Sequence, residues 1–281
     1  MLNTSQLRFF LRNAHYLNLD IVAGAVLCHL VAQKLPSGHG QINIPQTIIL
    51  GLSVFMAYTA DRLLDIKKID YCPTPRHEFI KNRAEILKKV LLICVVICVV
   101  LCFWLSKNIL IFGFITLAVS ALYFVAVFKS SKSSIIQVFK EPITALVYSA
   151  GVWGSTLIDS GRAIGPLDYA FCISFSLITF QNLLLFSWME AFVADQAYSL
   201  PIVFGEKTTR KIIMFIFVFV LIFNFSIVFL CEFAYQRRTL FFEILMALGL
   251  FSISQNTTFF LKNERYRWVG DSVFWLMIVM I

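Results

Sequence analysis

Asp61 and Asp65 stand four residues apart in the run Ala57-Tyr58-Thr59-Ala60-Asp61-Arg62-Leu63-Leu64-Asp65. On a helix that spacing puts both carboxylates on one face, one turn apart, with Tyr58 three residues earlier on the same face. Two carboxylates so placed can share a divalent cation through hard oxygen ligands. Magnesium in particular takes one or two carboxylates together with substrate phosphates. A second acidic turn follows at Glu190-Ala191-Phe192-Val193-Ala194-Asp195. Its two acids lie about 140° apart on a helix of about 3.6 residues per turn, so the helix must end or bend there if both are to address one site. For either turn the alternative is an ion pair with a neighbouring Lys or Arg.

Basic side chains suited to phosphate oxygens accompany both turns: Arg62 and Arg76 near the first, Lys207 and Arg210 after the second, and Lys140 at the start of a later apolar run. Arg offers a bidentate fork and Lys a point charge; lipid headgroup contact is the alternative for each. Pro142 suits the first turn of a helix, which predicts Lys140 at that helix's mouth, facing a cavity. Within apolar runs, Asn18, Asp20, Gln181 and Asn182 are polar side chains that can face a cavity, with interhelical hydrogen bonding as the alternative. Phe180, Phe186, Trp188 and Tyr148 can line an apolar cavity, with lipid-facing or packing roles as the commoner alternative for each. Arg267 and Asp271, four apart, read as a structural pair outside the site, and His77 as a solvated loop residue. The seven cysteines form no Cys-x-x-Cys pair and read as packing residues.

The elements that must carry these residues are membrane helices. The chain of 281 residues is 59% hydrophobic and only 14% charged, against about 25% charged in soluble domains. Runs of about 20 apolar residues, the length a bilayer requires, lie near 15–33, 44–60, 89–106, 108–128, 135–158, 167–188, 211–231, 239–261 and 268–281. Alternate connections then hold 19 of the 24 Lys and Arg residues, a bias that predicts a cytoplasmic N-terminus. Both acidic turns fall on the cytoplasmic side, at the ends of helices that run the same way. The net charge of +8 is thereby a topology signal toward lipid headgroups rather than a nucleic-acid footprint. The expected fold is all-α, a polytopic bundle of about nine transmembrane helices.

On these residues the chain resembles the UbiA superfamily of intramembrane prenyltransferases, over nearly its whole length. The family's first motif has the form NDxxDxxxD; Asp61, Arg62 and Asp65 fall on its last two Asp and the Arg between them, while Ala57 and Tyr58 stand where the family has Asn and Asp. Thr74-Pro75-Arg76-His77 sits where the family often has Arg-Thr or Arg-Pro. The second motif is similar to Glu190 and Asp195 followed by Ser199-Leu200-Pro201-Ile202-Val203-Phe204-Gly205, with Glu in the leading place.

The resemblance implies one transmembrane domain over 1–281, working at the cytoplasmic face of a bacterial plasma membrane. It implies transfer of an isoprenoid group from a prenyl diphosphate to a lipophilic acceptor, aromatic ones included. Mg2+ would bridge Asp61, Asp65, Glu190 and Asp195 to the diphosphate, with Tyr58, Arg62, Arg76, Lys140, Lys207 and Arg210 around its oxygens. Asn18, Asp20, Gln181 and Asn182 would line the acceptor cavity. Two other readings stand beside it: a terpene cyclase that needs no acceptor, and a transporter or non-catalytic membrane protein.

Overall fold

A computed structural model describes residues 4–67, 75–131, 134–159, 161, 163–192 and 199–281. Every regular element among them is helical. In chain order they are α1 (Thr4–Tyr16), α2 (Leu19–Gln33), α3 (Ile44–Asp65), α4 (Pro75–Asn82), α5 (Ala84–Leu101), α6 (Lys107–Lys129), α7 (Lys140–Ser149), α8 (Ser155–Asp159), α9 (Pro166–Glu190), α10 (Leu200–Phe204), α11 (Glu206–Ile227), α12 (Ala234–Gln255), α13 (Thr257–Leu261) and α14 (Arg265–Ser272).

Among the described residues six helical segments are long and apolar enough to cross a bilayer: Ile44–Asp65, Ala84–Trp104, Lys107–Lys129, Pro166–Glu190, Glu206–Leu230 and Ala234–Gln255. The bent pair Phe9–Tyr16 and Leu19–Gln33 makes a seventh if it is one span. This is the pattern of a multi-pass membrane protein, in which helices satisfy their own backbone groups away from water.

Several boundaries differ from the hydropathy reading. The first apolar helix begins at Leu19, because Asn18 takes a left-handed conformation (φ 56°) that ends α1 and turns the chain by 73°. The segment expected at 239–261 stops at Gln255, where Asn256 caps the next helix by accepting from the Phe259 N–H. The stretch 135–159 is divided into a 3-10 turn (Ile135–Phe139), α7, a π-helical turn (Ala150–Gly154) and α8. The stretch 265–280 joins α14 to a 3-10 segment, Val273–Met280.

Packing divides the chain into two compact units, Met1–Val26 with Asn43–Leu105, and Leu27–Ile42 with Ser106–Ile281. In the first, α3 packs on α5, and α4 bridges them at the end where α3 finishes. Leu63, Ile80 and Leu87 form the core there, with Leu17, Ile66 and Phe79 packed around them. Gly51 lies against Val22 and Val26 of α2; a Cβ would stand 3.1 Å from Val26.

In the second unit α9 is the central helix, packed by α7, α11 and α12. Its buried face includes Phe171, Phe175, Ile178, Leu185 and Met189. Trp153 stacks on Phe171 at 5.7 Å, and Phe175 meets Tyr148, Trp153 and Phe274. Gly154 allows close approach of α6, since its Cβ would lie 3.0 Å from the Phe112 ring. The same glycine falls in the π-helical turn, where the Val152 carbonyl accepts from His29 Nδ1 at 2.8 Å. A carbonyl can only accept, so that nitrogen carries the proton, and Nε2 accepts from the Gln33 amide at 2.9 Å.

Candidate functional site

In the first unit the acidic turn lies at the end of α3. The helix starts under an Asn43 cap with Pro45 in its first turn, and runs unbroken to Asp65. Asp61 and Asp65 therefore do stand one helical turn apart. Thr59 and Leu63 are buried, and the two carboxylates lie about 200° round the helix from that stripe. They face away from the apolar core of the unit, partly exposed. Arg62, between them, donates from Nη1 to Asp65 Oδ2 at 3.4 Å. That is the neighbouring ion pair the sequence offered as an alternative, with the arginine 15% and the acid 38% exposed.

Arg76 is buried on α4, one turn before the core residue Ile80. The ring of Phe79 is covered by Tyr16 edge-on at 5.4 Å and by the Arg83 guanidinium at 4.0 Å. His77 is half-buried. On the other side of the Asn18 turn, Asp20 accepts from His15, a contact between the last turn of α1 and the first turn of α2. The Asp20 carboxylate, in the first turn of α2, complements that helix's dipole. Asn18 itself is buried, serving as the hinge of this turn.

In the second unit α9 ends at Glu190. Asp195 lies outside the described residues, as does Thr74. Asn182, Phe186 and Glu190 follow one another at four-residue steps and meet α14. The Glu190 carboxylate forms an ion pair with Arg267, whose guanidinium also lies 5.6 Å from the Phe186 ring and 5.5 Å from the Tyr266 ring. Gly270 permits this contact: a Cβ there would stand 2.5 Å from the Phe186 ring and 3.0 Å from Asn182 Oδ1. Ser187, on an adjoining face of α9, lies beside the Glu141 carboxyl of α7.

The other expected residues of this unit take varied positions. Lys140 is exposed at the start of α7, and its neighbour Glu141 is the buried one. Lys207 is exposed in the first turn of α11. Arg210 donates to Gln255 Oε1 at 2.7 Å, closing the end of α12. Gln181 is fully buried and donates to the backbone carbonyls of Ile213 and Ala247, so it ties α9 to α11 and α12.

Three features escaped the sequence reading. Arg267 pairs with Glu190 across helices, a partner that spacing does not reveal. His15 orients on Asp20 only because the chain turns at Asn18. Glu243, fully buried in α12, accepts from Asn224 Nδ2 of α11 at 3.1 Å, with Ser174 of α9 beside the same carboxyl. The signal for Glu243 was a single acid on the helix face of Thr239, Met246 and Leu250, since an acid inside an apolar span needs a polar partner.

No protein-family model, curated protein or solved structure matches the chain.

Proposed function

We propose that the chain is an intramembrane prenyltransferase of the UbiA type, moving an isoprenoid group from a prenyl diphosphate to a lipophilic acceptor. The observation that carries the reading is the unbroken course of α3 through Asp65, which sets Asp61 and Asp65 one turn apart on a face turned away from the apolar core. A span count of nine with a cytoplasmic N-terminus belongs to this reading, and the distribution of 19 of 24 Lys and Arg residues supports it.

The residues present fit a magnesium ion: two carboxylates, partly exposed, leave coordination positions for phosphate oxygens and water. Asp61 and Asp65 would hold the ion, which when bound supplies fixed positive charge against the negative charge that grows on the departing diphosphate. Arg62 is already drawn to Asp65 and offers its second fork position to a phosphate oxygen. Tyr58, one turn before Asp61 on α3, presents a hydroxyl donor where the family pattern has a carboxylate. The apolar spans exclude water from the reacting allylic centre, and their aromatic rings favour positive charge there.

The test incubates purified protein with prenyl diphosphates of several chain lengths, Mg2+ and a panel of aromatic acceptors while pyrophosphate release is followed. Release that is lost in Asp61→Ala is the expected result. Product formed without an acceptor would turn the reading to cyclisation. Absence of turnover at every chain length, in protein that remains folded, would refute it.

A further inference from the structure

The pair Glu190–Arg267 places each charge at the end of its helix that disfavours it. Glu190 is the last residue of α9, where the helix dipole is negative. Arg267 lies in the first turn of α14, where it is positive. Neither helix dipole stabilises the charge at its end, so each side chain gains from an opposite charge beside it. The guanidinium is also held in place before any ligand arrives. Phe186 and Tyr266 flank it, and the absence of a side chain at Gly270 lets α14 lie against α9 one turn further on. The turn that delivers it contains two successive non-glycine residues in the left-handed region, Asn263 at φ 58° and Glu264 at φ 54°. Such residues each cost about 1–2 kcal/mol and persist where surrounding structure imposes them.

We propose that Arg267 is a phosphate-binding residue that Glu190 holds in reserve, and that a diphosphate displaces the carboxylate from the guanidinium and so frees Glu190. The class of ligand comes from the prenyl-diphosphate reading, on which the inference rests. A phosphate offers the Arg fork the same two-oxygen geometry as a carboxylate with more negative charge. The Arg267 side chain is 9% exposed and that of Glu190 30%, so the acid is the accessible partner and the one that an incoming anion replaces. The phosphate of a lipid headgroup has the same chemistry as that of a soluble diphosphate.

The experiment titrates inorganic pyrophosphate, with EDTA present, into wild type, Glu190→Gln, Arg267→Gln and Arg267→Lys by calorimetry. Phospholipid-free micelles and nanodiscs with and without an anionic lipid are used. Removal of the competing carboxylate in Glu190→Gln should tighten binding about tenfold, and loss of the fork in Arg267→Gln should weaken it about tenfold, the worth of one charge-assisted hydrogen bond. Arg267→Lys should fall between wild type and Arg267→Gln. If Arg267→Gln does not fold, tightening in Glu190→Gln still decides. A pair that only holds helices together would move both affinities the same way or not at all, and either result overturns the proposal.

Competition by the anionic lipid in wild type but not in Arg267→Gln would identify a headgroup as the occupant. Opposite shifts without turnover of any prenyl diphosphate would refute the transferase reading and leave the phosphate site standing. Turnover with no opposite shifts would do the reverse.

Discussion

The buried contact between Glu243 and Asn224 admits a quantitative test of what holds α11 to α12. Both side chains are fully buried, and one hydrogen bond of 3.1 Å joins them. Asn224→Leu removes the amide donor and leaves the carboxyl without it; Glu243→Leu removes the acceptor and leaves the amide. An unsatisfied buried polar group costs about 1–3 kcal/mol, so each single substitution should destabilise by that amount. The double substitution leaves neither orphan and fills the space with two side chains of similar volume. It should therefore cost less than the sum of the singles by a coupling energy of about 0.6–1.7 kcal/mol, the range for polar pairs between membrane helices. The assay is equilibrium unfolding in mixed micelles, read by tryptophan fluorescence, as a double-mutant cycle. Additivity within about 0.3–0.5 kcal/mol would show that the two side chains do not act as a pair, and the reasoning would fail.

Three further substitutions probe other joints, each read in the same unfolding assay. His29→Phe deprives the Val152 carbonyl of its donor and Gln33 of its acceptor, and should cost about 1–3 kcal/mol; no loss of stability would mean the π-helical turn does not need the histidine. Gly270→Ala forces the Phe186 ring away from α14 and should destabilise by about 1–3 kcal/mol, the usual cost of overpacking. It should also weaken the Glu190–Arg267 contact, so a neutral result would place the two helices further apart than described. Leu87→Ala opens the core of Leu63 and Ile80 in the first unit and should cost about 2–5 kcal/mol; a much smaller loss would show that α5 is not anchored there.

The helices were largely legible in the sequence because their cause is local. A run such as Ile109 to Phe128 is apolar in every direction, and in lipid a backbone without water can only pair with itself. The reading failed at ends set by single residues. Asn18 moved the first helix start by taking a left-handed turn, and Asn256 cut α12 short by capping its successor. Asp61 and Asp65 were legible as a pair because four residues make one turn of any helix that continues, and α3 continues. Lys140 was not, since a lysine two residues before a proline says where a helix starts and not which way its side chain turns. Here Glu141 is the residue turned inward.

By itself the sequence determined that this is a chain of membrane-crossing helices and where its acidic turns fall. Hydropathy and helical periodicity act over a few residues and carry that much. Only the tertiary structure decided that Glu190 meets Arg267 and that Gln181 bonds the carbonyls of two other helices. It likewise decided that Glu243 meets Asn224. These partners lie far apart along the chain, and their meeting depends on how each helix is rotated about its axis. A helix apolar on all sides does not encode that rotation in its own sequence; packing against its neighbours sets it.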